Sequence, residues 1–249
     1  MLFPPDLGYD FSNMKGYSIF IKQLDQVVEK YSNFKIVEES EEKFLRGELQ
    51  VVDRNGFFWE SYQLEIIHHS DFPYRFPKVY EIGNKIPKIA DWHINEDHSF
   101  CIDVFPSEII KCKDGCSLIA FIEKELTPYL FNQTHRREEG HYVGGEYSHG
   151  LLGVYEFYAD RLKTKNNVRK TLSLMTFIAT QQRPKRSNRC FCGSGELFRN
   201  CHRKAYDELK LLGNYFLIND INNLYKWSGL HGMDQLRKNN PFSFLDKRN

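Results

Sequence analysis

An α+β fold is predicted for this chain by three observations: an amphipathic helical pattern near its start, a β-meander built around an Asn-Gly turn, and helical patterns that return after the strands end. In the first, Tyr17, Phe20, Ile21, Leu24, Val27, Val28 and Tyr31 recur at three- and four-residue intervals among Lys22, Gln23, Asp25 and Glu29, giving a helix one apolar stripe to lay on a sheet. The meander runs from Phe44 to Val52, turns at Asp53-Arg54-Asn55-Gly56 and returns from Phe57 to Ile67, where Tyr62, Leu64 and Ile66 alternate with Gln63 and Glu65. Pro73 and Pro77 cannot donate to a ladder, so their segment is expected to be a turn, with Lys78 to Ile82 as the next strand. Helical spacing resumes from Ser117 to Leu130, with Pro128 marking its end.

Glycines and histidines then crowd Gly140 to Gly150, which reads as a loop. A helix is expected from Leu151 to Lys163, and a more apolar helix or strand from Val168 to Thr180. A basic linker, Arg183 to Arg189, leads into a cysteine cluster and helical segments around Tyr206 to Leu212 and Tyr215 to Trp227. The expected regions are therefore residues 1–135, 136–182 and 183–249. No internal repeat or low-complexity tract is present.

With 249 residues, 41% hydrophobic and 27% charged, the composition is that of an ordinary soluble protein. The formal charge of +1 argues against a global attraction to nucleic acid or to a membrane. No apolar run approaches the ~20 residues that cross a bilayer, and Met1 to Asp6 lacks the basic and apolar regions of a signal peptide, so a cytoplasmic protein is expected. Three of the six cysteines (Cys190, Cys192, Cys201) fall in one cluster and the rest are scattered, as expected for a reducing compartment.

Cys101 is the candidate nucleophile. Phe72-Pro73-Tyr74-Arg75-Phe76-Pro77-Lys78-Val79 is followed by Trp92-His93-Ile94-Asn95 and then by Ser99-Phe100-Cys101-Ile102-Asp103. Taken alone, a cysteine after a strand is more often a small core hydrophobe, but the ordered context on both sides favours a presented thiol. Glu96, Asp97 and Asp103 are expected to raise its pKa, which suits a thiol that accepts an acyl group from an activated thioester rather than a protease-like ion pair. Asn95 offers a side-chain amide to a developing oxyanion, a contribution typically of about 3 kcal/mol. Cys112 and Cys116 flank Lys113-Asp114-Gly115 with no second pair nearby, and are expected to be ordinary thiols.

Over roughly residues 12 to 131 this order of motifs resembles the ubiquitin-conjugating enzyme family: helix, β-meander, a Tyr-Pro-Phe-x-Pro-Pro-x-Val segment, His-Pro-Asn, and an acceptor cysteine in Ile-Cys-Leu-Asp. The resemblance implies a UBC-like domain with crossover helices, Cys101 as acceptor, and Asn95 and His93 beside it. Ile94 stands where the family has proline, and the spacing from His93 to Cys101 is two residues shorter than usual. The Gly/His-rich loop with His141, Glu146 and His149 resembles instead extended bacterial relatives found in ubiquitin-like conjugation and antiviral defence operons. A histidine brought over Cys101 would deprotonate the incoming lysine or the thiol; the alternative is a loop histidine bonded to backbone.

Cys190-Phe191-Cys192-Gly193-Ser194-Gly195 followed by Cys201-His202 supplies four soft ligands in a short span, the set that zinc takes in closed structural sites. The spacing resembles the SEC-C zinc motif, and Cys190, Cys192, Cys201 and His202 match its ligand positions one by one. Arg183, Lys185, Arg186, Arg189, Arg199, Arg203 and Lys204 surround the cluster with only Glu196 opposing them, a rim that either docks an acidic surface or is simply solvated.

The leading expectation is a transferase that carries a partner's C-terminus on Cys101 and passes it to a lysine. The partner would be a ubiquitin-like protein or, by analogy with defence operons, a cyclic-dinucleotide synthase, and an activating enzyme would load it. A catalytically silent adaptor and a cysteine hydrolase are the competing expectations.

Overall fold

The computed structural model describes residues 12–53, 55–143, 147–165 and 167–229, and the chain packs as two compact units, residues 1–149 and 150–249. Helix α1 (Ser12–Lys30) opens the first unit and buries Phe20, Leu24 and Val27. Gly16 is required there: a Cβ on it would lie 2.2 Å from the carbonyl oxygen of Phe72. Four antiparallel strands follow in the order β1 (Phe34–Glu39), β2 (Glu42–Val52), β3 (Phe58–Ile67) and β4 (Lys78–Glu81). The period of two sends Leu45, Leu49 and Val51 of β2 and Tyr62, Leu64 and Ile66 of β3 into one core. Asp53 Oδ1 accepts from the N–H of Asn55 at 2.8 Å and of Phe57 at 3.0 Å, closing the turn expected between β2 and β3; Arg54 lies outside the described residues.

Strand β1 was not foreseen. It reaches β2 through the two-residue turn Ser40-Glu41, both at positive φ (51° and 68°), a conformation usually announced by Asn or Gly. The helix expected to stop at Pro128 runs on instead. Residues Leu118–Phe121 (α3) and Thr127–Glu139 (α4) are joined by a widened π turn, Ile122–Leu126. That turn opens the ladder where Pro128 has no N–H to give, and Thr127 donates its N–H and, at 2.7 Å, its Oγ1–H to the Ile122 carbonyl.

Helix α2 (Phe105–Cys112) anchors the proline segment. Its buried Glu108 accepts from Arg75 Nη2 at 2.9 Å and from the Phe76 N–H at 2.7 Å, and Arg75 Nε stands 2.8 Å from the same carboxylate.

The second unit contains α5 (Gly150–Arg161), α6 (Val168–Thr180), α7 (Arg203–Leu209) and α8 (Gly213–Trp227), so the Val168–Thr180 segment is helix and not strand. The basic linker 183–189 lies within this unit, between α6 and the cysteine cluster. No described helix is long and apolar enough to cross a membrane.

Between α5 and α8, Tyr158 Oη–H donates to Asp220 Oδ2 at 2.6 Å. Burial, opposed by that hydrogen bond, raises the Asp220 carboxyl to about 6. A carboxyl whose pKa is raised on folding stabilises the native state below its unfolded value, and that benefit fades as pH rises through about 6. At pH 7.5 the buried charge costs about 2–3 kcal/mol. Asp220→Asn, which keeps an acceptor for Tyr158, is expected to stabilise the second unit by up to about that amount at pH 7.5 and to flatten the loss of stability between pH 4 and 7. Denaturant unfolding across that range checks it; a less stable variant at pH 7.5 would refute the account.

Candidate active site and metal centre

Cys101 sits on a small hairpin. Residues 93–101 fold back so that Ile94 bridges Phe100, the Cys101 N–H donates to the His93 carbonyl at 2.8 Å and the Asn95 N–H to the Ser99 carbonyl at 2.8 Å. Alternation does the rest. Ile94 and Phe100, 5% and 6% exposed, enter the core, while the directly opposed His93 and Cys101 share the other, half-buried face. The Phe100 N–H bonds the Val79 carbonyl at 2.8 Å, hanging the hairpin on β4.

Helix α4 clamps the turn before it. Tyr129 Oη–H donates to the His93 carbonyl at 2.9 Å and Gln133 Nε2 to the Trp92 carbonyl at 3.1 Å. Arg136 pairs with Asp91 and lies over the rings of Trp92 and Tyr142, 4.5 and 4.8 Å from their centroids. His93, held at a left-handed φ of 52°, contacts two further rings, Tyr142 edge-on at 5.3 Å and His149 tilted by 35° at 4.0 Å. Ligand atoms of His93, Cys101 and His149 all lie within 4.8 Å of one another.

Two of the three carboxylates expected to burden the thiol, Asp97 and Asp103, are engaged by other groups. Asp97 accepts from Lys78 Nζ at 2.7 Å and from the Ser99 N–H and Oγ–H at 3.0 and 2.6 Å. Burial opposes its charge, yet the bonds from Lys78 and Ser99 prevail and hold it at about 2. Asp103 accepts from the Val104 N–H at 2.7 Å and Ser107 Oγ–H at 2.6 Å, and pairs with Lys111 Nζ at 2.7 Å, at the start of α2.

A second constellation lies in the other unit. The Cys190 N–H donates to the Glu196 carbonyl at 2.7 Å, and Gly193 and Gly195 take the left-handed φ values (78° and 82°) that let the knuckle turn. A short 3-10 turn, Phe198–Asn200, then brings Cys201 and His202 to the start of α7. Separations are 3.6 Å for Cys192 Sγ–Cys201 Sγ, 3.4 Å for Cys190 Sγ–His202 Nδ1 and 3.0 Å for Cys201 Sγ–His202 Nδ1. These approach the edges, about 3.4–3.8 Å, of a tetrahedron with metal bonds of about 2.0–2.3 Å. His202 Nε2 lies 2.8 Å from the Leu162 carbonyl, an outer contact that aims Nδ1 at the thiolates. Ligand atoms of the four residues all lie within 4.8 Å of one another, an arrangement compatible with a bound metal ion.

The chain matches no family model, no curated protein and no solved structure.

Geometry alone therefore sorts the candidates. His93 and Cys101 are brought together, and His149 joins them. His141 does not; its Nδ1 lies 3.1 Å from the Glu139 carbonyl and its own carbonyl 2.8 Å from His135 Nδ1. Glu146 lies outside the described residues. The Asn95 side-chain amide donates to Ser99 Oγ at 3.0 Å and to the Phe100 carbonyl at 3.1 Å, bonds that brace the hairpin. Cys112 is fully buried, and its hydrogen bond with Cys116, reinforced by burial, pushes its thiol up, leaving it inert. Around the knuckle, Asp207 takes up Arg183 at 2.6 and 2.7 Å and approaches Arg203 at 3.7 Å, so Glu196 is not the sole counter-charge. Tyr129, Gln133, Arg136 and Tyr142 were not foreseen as site residues, because the helix carrying three of them was expected to end at Pro128.

Proposed function

We propose that the first unit is a ubiquitin-conjugating-like acyl carrier in which Cys101 holds the C-terminus of a partner protein as a thioester and passes it to a lysine. The observation that carries this reading is the convergence of His149 and His93 on a half-buried thiol at the base of a braced hairpin. The order helix, three strands, proline segment, fourth strand, cysteine hairpin and helix supports it. The Cys101 thiolate attacks the carbonyl of a C-terminal thioester and the donor thiolate leaves. A lysine amine then attacks the new thioester, the C–S bond breaks, the amine proton passes to His149 and the Cys101 thiolate is restored. Asn95 and His93 hold the hairpin and the imidazole in place.

Zinc is the ion proposed for Cys190, Cys192, Cys201 and His202; three thiolates and one imidazole leave no open position, so its contribution is to fold the second unit. The partner is a protein with a transferable C-terminus, a ubiquitin-like protein or a cyclic-dinucleotide synthase on the resemblance noted above. A thiol–imidazole pair also serves a cysteine hydrolase, and the position of His149 favours that as the second reading. The acceptor separates the two: a lysine amine for the carrier, water for the hydrolase.

Incubation with a peptide thioester tests the carrier. The wild-type adduct is expected to be released by thiol, the Cys101→Ser adduct to be a thiol-stable ester, and Cys101→Ala to form none while retaining its circular dichroism. Adduct formation at the wild-type level in Cys101→Ala would sink both readings.

A further inference from the structure

We propose that His93, Cys101 and His149 are also the three protein ligands of a reversible binding site for a soft divalent cation of the zinc class, and that its occupancy silences the thiol. The inference goes beyond acyl transfer and rests on the ligand geometry alone. One imidazole suffices to take a proton from an amine or a thiol. Here two converge with the sulfur, all three donor atoms lying within 4.8 Å of one another. A thiolate with two imidazoles is the donor set that borderline-soft ions prefer over oxygen-seeking ones such as magnesium or calcium.

The ligands are preorganised. His93 and Cys101 are opposed residues on antiparallel segments, tied by the 2.8 Å bond from the Cys101 N–H to the His93 carbonyl, so their side chains project from one face. The His93 backbone is fixed further by its N–H bond to the Ala90 carbonyl at 2.9 Å and by Tyr129 at 2.9 Å. The His93 and His149 ring centroids are 4.0 Å apart with a 35° tilt, and a nitrogen of each lies within 4.8 Å of the other and of the sulfur. Three ligands leave a fourth position for water or an incoming group, and the site is half-buried, so an ion can enter and leave. In this respect it differs from the closed four-ligand knuckle. Binding exchanges the Cys101 S–H proton, released to solvent, for a sulfur–metal bond, with no change of oxidation state. The sulfur lone pair that would attack a thioester is then held by the metal.

The test uses the full chain with its knuckle already filled by one zinc, titrated with cadmium and followed by thiolate-to-cadmium absorption, after confirming that the knuckle zinc is retained. A further equivalent is expected to bind in the wild type and to be lost in Cys101→Ser, with affinity in His149→Ala and in His93→Ala falling by more than the ~10–100-fold typical of removing an outer-shell partner. Iodoacetamide alkylation of Cys101, which needs no acyl donor, is expected to slow at least about tenfold when wild type is saturated with zinc, and to be restored by a chelator too weak to strip the knuckle. The proposal is overturned if binding stops at the knuckle, if the added equivalent survives unchanged in the conservative Cys101→Ser variant, or if zinc leaves alkylation untouched. Failure of peptide-thioester transfer would overturn the carrier reading and leave this one standing.

Discussion

His149→Ala is expected to slow discharge of acyl-Cys101 to lysine by about 10²–10⁴-fold, the usual span of a positioned general base. Of the two imidazoles at the thiol, His93 contacts the rings of both His149 and Tyr142 and is held by its backbone in the hairpin, which suits it to positioning. His149 is the one assigned to receive the proton. His93→Ala should accordingly cost less, and should affect loading and discharge alike, because loss of its ring disturbs the placement of His149. Single-turnover discharge to free lysine, begun from preformed acyl-enzyme, isolates the step. Imidazole added to the solution should restore part of the rate to His149→Ala and little to His93→Ala, since a small base can replace a proton acceptor but not a packed ring. Unchanged discharge in His149→Ala would remove this residue from the mechanism.

Much of the first unit was legible because its elements follow simple periodicities. The three-and-four spacing of Phe20, Leu24 and Val27 and the two-residue alternation of Tyr62, Leu64 and Ile66 each describe a single buried face, and those residues form the core. Strand β1 escaped because the Ser40-Glu41 turn adopts positive φ without the residue types that advertise it. Pro128 misled for a similar reason: proline breaks a regular helix, but a π turn just before it supplies a ladder in which its missing N–H matters less. That single error hid Gln133 and Arg136, and with them the clamp on Trp92 and His93.

The site itself divides along the same line. Local spacing pointed to Cys101 and His93 because they face each other within one hairpin, and to the knuckle because its ligands occupy a short stretch of chain. His149 is 48 residues after Cys101 in sequence, and only folding brings it to the sulfur. The partners of two of the carboxylates near Cys101 were not legible either. Asp97 and Asp103 look like free carboxylates in sequence, yet Lys78 and Lys111, which neutralise them, come from β4 and α2.

The knuckle metal is expected to carry the largest energetic effect in the molecule. Structural zinc in small modules supplies an apparent 10–16 kcal/mol or so, comparable with or above the roughly 5–15 kcal/mol by which a whole domain is stable. Its loss here has routes outward. His202 reaches the Leu162 carbonyl just beyond α5, Lys170 of α6 bonds the Cys192 carbonyl, and Phe191, between two ligands, stacks on Phe177 of α6 at 4.4 Å and 2°. Cys192→Ser, or chelation of the wild type, is therefore expected to abolish hydrogen-exchange protection in the described helices of residues 150–229 while the β2–β3 ladder of the first unit stays protected. Protein purified without chelator and dialysed should retain one zinc per chain, and Cys192→Ser should retain none. Metal-free wild-type protein, or a second unit whose protection survives complete removal of the ion, would show that packing around Phe191, Phe198 and Tyr206 suffices and that the four ligands add nothing to the fold.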